Sequence, residues 1–167
     1  MVRRIAIALL VVLLTASTAA AQGTIFLVRH AERADTVPGA PPSMSADPSL
    51  SETGRARAAS LAAILKDADI GAIFVTEFKR TQETAAPLAQ ALGIKPATVG
   101  SKDRSTLVEQ LKTISGNVLV VGHSNTVPDI LKALGVAEPV TIGDNDYDDL
   151  FVVTPGQPAR MVRLHYR

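Results

Sequence analysis

Three short apolar runs, each followed by a stretch of helical period, constrain this chain more than any other feature. Thr24-Ile25-Phe26-Leu27-Val28, Gly71-Ala72-Ile73-Phe74-Val75 and Asn117-Val118-Leu119-Val120-Val121 carry no polar face. Such a strand has to be covered on both sides, as parallel strands inside α/β folds are. The intervening stripes have the 3.6-residue period: Ala58/Leu61/Ala62/Leu65, Ala85/Leu88/Ala89/Leu92, Leu107/Leu111/Ile114 and Ile130/Leu131/Leu134. Ser51 is placed to cap the first helix, Asp103 or Ser105 the third, while Gly93 and Gly135 close the second and fourth. Pro87 is expected to kink the second. The Pro/Gly/Ser-rich stretch from Thr36 to Ser49 reads as a loop. Near the end, Leu150–Val153 and Met161–Tyr166 flank Pro155-Gly156, a pairing suited to a type II turn and hence to a hairpin. The expected fold is α/β: a single-domain three-layer sandwich, with a mostly parallel central sheet, helices on both faces and a C-terminal edge hairpin.

Residues 1–21 are set apart as a signal peptide, leaving 22–167 as the domain. Arg3 and Arg4 form a basic start, Ile5–Leu14 an apolar run, and Ala19-Ala20-Ala21 an Ala-x-Ala site ahead of Gln22. The apolar run is shorter than the ~20 residues of a membrane span. Removing the leader takes away Arg3 and Arg4 and leaves 15 basic against 16 acidic residues. The expectation is a periplasmic or secreted protein with no stable membrane insertion after cleavage. Balanced charge and 4% aromatics argue against nucleic-acid binding, which needs a basic stripe and stacking rings. With no Cys, disulfides, thiolate nucleophiles and Cys-ligated zinc are excluded.

Ligands of open α/β sheets bind beyond the carboxyl ends of the strands. There the three runs deliver Arg29-His30-Ala31-Glu32-Arg33, then Thr76-Glu77-Phe78-Lys79 leading to Arg80, and Gly122-His123-Ser124-Asn125. Two histidines and at least two arginines on one rim suit phosphate. Guanidinium gives permanent, bidentate donors for phosphate oxygens, and a neutral imidazole can attack phosphorus. Arginines can also offset charge on the transferring group, so the expectation carries no metal and no cofactor, and the ligand is a small phosphorylated compound.

These residues resemble the histidine phosphatase superfamily, the phosphoglycerate-mutase-like clan, in the manner of a small exported branch-1 phosphatase. Leu27–Glu32 resembles its Arg-His-Gly signature, Leu50–Ala58 its Leu-Ser/Thr-x-x-Gly helix start, Arg80–Ala85 its second arginine segment and Val121–Asn125 its second histidine motif. The resemblance spans about Ile25 to Tyr166. It implies His30 as the nucleophile that becomes a phosphohistidine, Arg29 and Arg80 as phosphate ligands, and His123 as the group completing the pocket. Ser124 and Glu32 stand as further substrate-binding candidates.

The chain also departs from the family pattern. Ala31 replaces the usual Gly, and Arg33-Ala34-Asp35-Thr36 lacks the Ser and Asn of mutases. Ser124 stands where acid phosphatases place an Asp, which leaves the leaving-group acid unassigned, with Asp103 a candidate whose plainer role is a helix cap. A phosphohistidine or phosphoanhydride substrate would need less acid catalysis. Two other readings stay open: a non-catalytic phosphate-binding or signalling module of the same fold, and, more remotely, a serine hydrolase using Ser124. Against the latter, Thr126 stands where the nucleophile elbow requires a small residue. A zinc site on His30 and Glu32 lacks the His-Glu-x-x-His helix. The acidic group Asp144, Asp146, Asp148 and Asp149 reads as a solvated loop, or as a rim element of the site. Glu83 is expected to orient Arg80 or pair with a lysine. The sequence leaves the oligomeric state unknown.

Overall fold

A computed structural model describes residues 23–36 and 47–167. The leader and the middle of the Thr36–Ser49 loop lie outside the described residues. In chain order the elements are β1 (Ile25–Arg29), α1 (Glu52–Leu65), β2 (Ile70–Val75), α2 (Lys79–Leu92), β3 (Ala97–Thr98), α3 (Arg104–Thr113), β4 (Asn117–Gly122), α4 (Thr126–Ala133), β5 (Asp149–Thr154) and β6 (Arg160–His165), with a short 3-10 turn at Ala34–Thr36.

One six-stranded sheet runs β3-β2-β4-β1-β5-β6. The first four strands are mutually parallel, whereas β5 joins β1 and β6 joins β5 antiparallel, so the sheet is mixed. Its strands alternate sides as a pleat requires. Ile25, Leu27, Val118 and Val120 face one way, packing with Leu107, Leu111, Val127 and Ile130 of α3 and α4. Val28, Leu119 and Val121 face the other, against Leu61, Leu65, Ala85 and Leu88 of α1 and α2. This is the expected three-layer sandwich.

Several local expectations hold. The Ser51 hydroxyl accepts the Gly54 amide at 3.0 Å and starts α1. Gly93 closes α2 in the left-handed region, φ 67°. Asp103 precedes α3 but its side chain makes no cap bond. Others change. Pro87 neither ends nor splits α2, which runs unbroken from Lys79 to Leu92. The hairpin connection is not a type II turn: pairing stops at Thr154↔Arg160, leaving five residues between the strands, and Gly156 lacks the positive φ that turn demands. The two-residue β3, pairing Phe74↔Ala97 and Val75↔Thr98, is too short to leave a periodic signal.

Candidate active site

The parallel order places the ends of β1, β2 and β4 side by side, β4 in the middle, so the segments after them share one rim. His30 extends β1 by one bond, its amide donating to Gly122 O at 2.9 Å. The segment after it is laced to the start of α1. Ser51 N donates to Glu32 O and Ala34 N to Ser49 O, both at 2.9 Å, and a bridge joins Arg33 to Leu50. Gly54 sits so close beneath that a Cβ there would lie 2.2 Å from Glu32 O. Hence a glycine is required at that helix start. Ala31, in place of the family's Gly, is sealed against Leu50 and Ala58.

The two imidazoles face each other edge to face, with ring centroids 5.3 Å apart. His30 Nδ1 is 2.8 Å from Ala31 O. A carbonyl only accepts, so Nδ1 carries the proton and Nε2 keeps its lone pair. Burial pushes the His30 pKa down to about 3, opposed by that backbone bond and reinforced by His123, Arg80 and Arg29. His123 is lowered to about 4, first by burial and then by the Arg80 charge. Both rings are therefore neutral near pH 7.

Threonines hold this frame. Thr76 Oγ1 lies 3.0 Å from His123 Nε2 and 3.0 Å from Thr81 Oγ1. The Thr81 hydroxyl donates to Phe78 O at 2.8 Å and accepts the Thr76 amide at 3.1 Å. Thr84 accepts the Ala31 amide at 2.9 Å and donates to Arg80 O at 2.6 Å, tying the segment after His30 to the first turn of α2. The Phe78 ring stands edge to face with His123, at 5.4 Å. None of these side chains is flagged by sequence reasoning: Thr76 read as part of a link, and Thr81 and Thr84 lie inside a helical stretch.

Arg29 and Arg80 border the histidines in different ways. Arg29 Nη1 donates to the carbonyls of Gly143, Asp144 and Asp146, at 2.7, 3.0 and 3.3 Å, and its guanidinium lies 4.0 Å from the Tyr147 ring centroid. The loop before β5, exposed at Gly143, Asp144 and Asn145, thus also borders the site. Arg80 lies over the Phe78 ring at 4.2 Å and pairs with Asp47 at 3.5 Å. Burial, followed by the neighbouring Arg33 charge, lowers its pKa. On both arginines Nε–H is buried without a protein partner among the described residues.

Other candidates sit elsewhere. The Glu32 carboxylate is taken by Arg57 of α1, Nε to both oxygens at 2.9 Å, and Arg57 Nη1 also holds Tyr166 O at 2.9 Å, so Glu32 anchors the C-terminus instead of facing the pocket. Glu83 accepts the Leu50 amide at 2.7 Å, not Arg80 or a lysine. Asp103 is exposed at the head of α3 and touches neither histidine. Ser124 is half-buried directly after His123. Asp148, Asp149 and His165 are grouped closely enough to ligate a metal, but they lie on the hairpin, and Arg163 grips both oxygens of Asp149. No helix among the described residues is long and apolar enough to cross a membrane.

A model of the histidine phosphatase superfamily (branch 1) matches residues 25–104. Over those residues, just under half of the chain, it is similar to that superfamily. The match takes in Arg29, His30 and Arg80, and His123 lies beyond it. Solved structures extend the likeness in fold. A mycobacterial glucosyl-3-phosphoglycerate phosphatase in complex with VO3 is 14% identical, with TM-score 0.66, over 86% of this chain and 98% of that one. The protein histidine phosphatase SixA complexed with tungstate is 16% identical, with TM-score 0.65, over 85% and 96%. The candidate phosphohistidine phosphatase SixA from Agrobacterium tumefaciens is 24% identical, with TM-score 0.62, over 86% and 98%. No curated protein matches the sequence. In this histidine phosphatase fold the four motifs come together on one rim.

Proposed function

We propose that the protein is a metal-independent phosphatase that hydrolyses a small phosphomonoester, or a phosphohistidine, through a phosphohistidine on His30. The observation that carries this reading is the protonation geometry: Nδ1 of His30 is committed to Ala31 O, so the lone pair is left on Nε2. A ring with pKa about 3 does not lose that lone pair to a proton at neutral pH.

In the first step Nε2 attacks phosphorus and the bond to the leaving oxygen breaks. In the second, water attacks phosphorus, the N–P bond breaks and inorganic phosphate departs. His123, whose Nε2 lies 3.0 Å from the Thr76 hydroxyl, contributes a hydrogen bond to the transferring group. Arg29 and Arg80 offset charge on the equatorial oxygens. Their unbonded Nε–H donors support an anionic ligand, since each buried donor left unmet costs roughly 1–3 kcal/mol. Similarity to the superfamily, and neighbours whose structures hold vanadate and tungstate, support the same reading.

Vanadate, which mimics the pentacovalent phosphoryl group, should inhibit, and EDTA should leave turnover intact. Activity lost to EDTA and restored by zinc rejects the scheme. Arg29→Ala and Arg80→Ala should impair both KM and kcat. We place the mature protein, residues 22–167, in the periplasm or outside the cell, on the basic, apolar and Ala-x-Ala pattern of its first 21 residues. N-terminal sequencing of the exported protein should begin near Gln22, and a retained Met1 in the membrane fraction contradicts it.

A further inference from the structure

A phosphatase acting on an alcohol phosphate must give the departing oxygen a proton, and Asp35, Asp47 and Glu77, which flank the site, are engaged. Asp103 stands exposed at the head of α3, away from both histidines. Asp35 is spent on Arg33 and Asp47 on Arg80 and the Lys79 amide. Glu77 accepts the amide and hydroxyl of Ser101 at 2.8 and 2.7 Å. Burial pulls the Glu77 pKa upward, but the Ser101 bonds outweigh it and keep the group ionised. His123 is neutral, and a neutral imidazole is a feeble acid.

Tyr147 is different. Its ring centroid is 6.1 Å from that of His30, tilted by 53°, and the side chain is buried against Arg29. Its backbone is preset: the Asp146 carboxylate closes the preceding turn on the Gly143 amide at 2.8 Å, and Arg29 Nη1 gathers three carbonyls of that turn. Among the described residues the buried unpartnered side-chain polar atoms are Arg29 Nε, Arg80 Nε and Tyr166 Oη. Tyr147 Oη is not among them and no described protein group bonds it, so the hydroxyl reaches solvent.

We propose that Tyr147 is the general acid of this site and that its substrates therefore include alkyl phosphates with poor leaving groups. The assignment rests on the phosphatase reading above. As His30 Nε2 bonds to phosphorus and the P–O bond breaks, the leaving oxygen takes the proton of Tyr147 Oη. The phenolate then takes a proton from the water that attacks the phosphohistidine, the N–P bond breaks, and Tyr147 is restored as phosphate leaves.

The test is kcat/KM of the full chain and of Tyr147→Phe on two probes, β-glycerophosphate with an alkoxide leaving group and p-nitrophenyl phosphate with a stable one. The variant keeps the ring under Arg29 and removes an oxygen without a protein partner, so an unchanged Tm checks its fold. Expected is a loss of about 10²-fold or more on β-glycerophosphate and under about fivefold on p-nitrophenyl phosphate, since a stable leaving group needs little acid. Equal losses on the two probes make Tyr147 structural and overturn the assignment. So does an undiminished rate on β-glycerophosphate, or a native chain that cleaves only the aryl ester. A native chain inert to both overturns the phosphatase reading itself.

Discussion

The two ends of the sheet are built of different material. At the carboxyl ends of the parallel strands the buried polar residues include Arg29, His30, Thr76, Thr81, Thr84 and His123, with Thr81, Thr76 and His123 linked in a chain of contacts of 3.0 Å. At the opposite end lies a cavity of about 570 Å³, lined by Ile25, Leu111, Leu134, Val153 and Pro158 among others, with Lys112 as its one ionisable side chain. Roominess alone would favour the second as a binding site. Buried polar groups cost free energy unless they are satisfied, so a dense cluster of them marks where function outweighs stability. The polar end is where chemistry is placed, and the apolar end is read as packing.

That contrast can be broken at either end. His30→Ala should have the largest effect, removing the covalent route with a loss of at least about 10⁴-fold in kcat while the fold persists. Leu111→Ala at the apolar end should do the reverse. It should cost about 2–5 kcal/mol of stability, read by denaturant unfolding, and leave kcat/KM unchanged well below the melting temperature. A large loss of activity in a folded Leu111→Ala protein would make the apolar end functional. His123→Ala should keep a slow enzyme, down about 10²–10³-fold, or roughly 3–4 kcal/mol, because a preorganised donor goes while the nucleophile stays.

The polar end should also be visible in acid. His30 and His123 have folded pKa values near 3 and 4, below the ordinary 6.5, so the unfolded chain takes up protons first as pH falls. Their contribution is intact above pH 6.5 and is lost as pH drops towards those values. The loss is at most about 1.4 kcal/mol per pH unit for each ring. Unfolding midpoints of the native protein and of a His30→Asn/His123→Asn double variant should diverge between pH 6.5 and 4.5. Parallel curves would mean that the rings are not held neutral. Ser124→Ala should change almost nothing, whereas the serine-hydrolase reading requires it to be inactive.

The same contrast explains what the sequence makes legible. β1, β2 and β4 announce themselves because a strand covered on both faces is apolar at every position, and the four motifs follow from where those strands end. β3 is two residues long and has no period to detect. Glu32 and Asp103 are plausible site residues by proximity in sequence, but side-chain partners are set by tertiary neighbours: Arg57, 25 residues away, claims Glu32. Thr76, Thr81 and Thr84 matter through hydroxyl bonds, and Tyr147 through a loop folded back onto Arg29, 118 residues earlier in the chain. None of these contacts has a pattern in one dimension.

The central claim is that phosphorus passes through His30. The most direct measurement is an alkaline detergent quench of the protein turning over a ³²P-labelled substrate, followed by peptide mapping under alkaline conditions. The account predicts a base-stable, acid-labile label on the peptide carrying His30, present in His123→Ala and absent in His30→Ala. A label on Ser124, or full activity in His30→Ala, would contradict it.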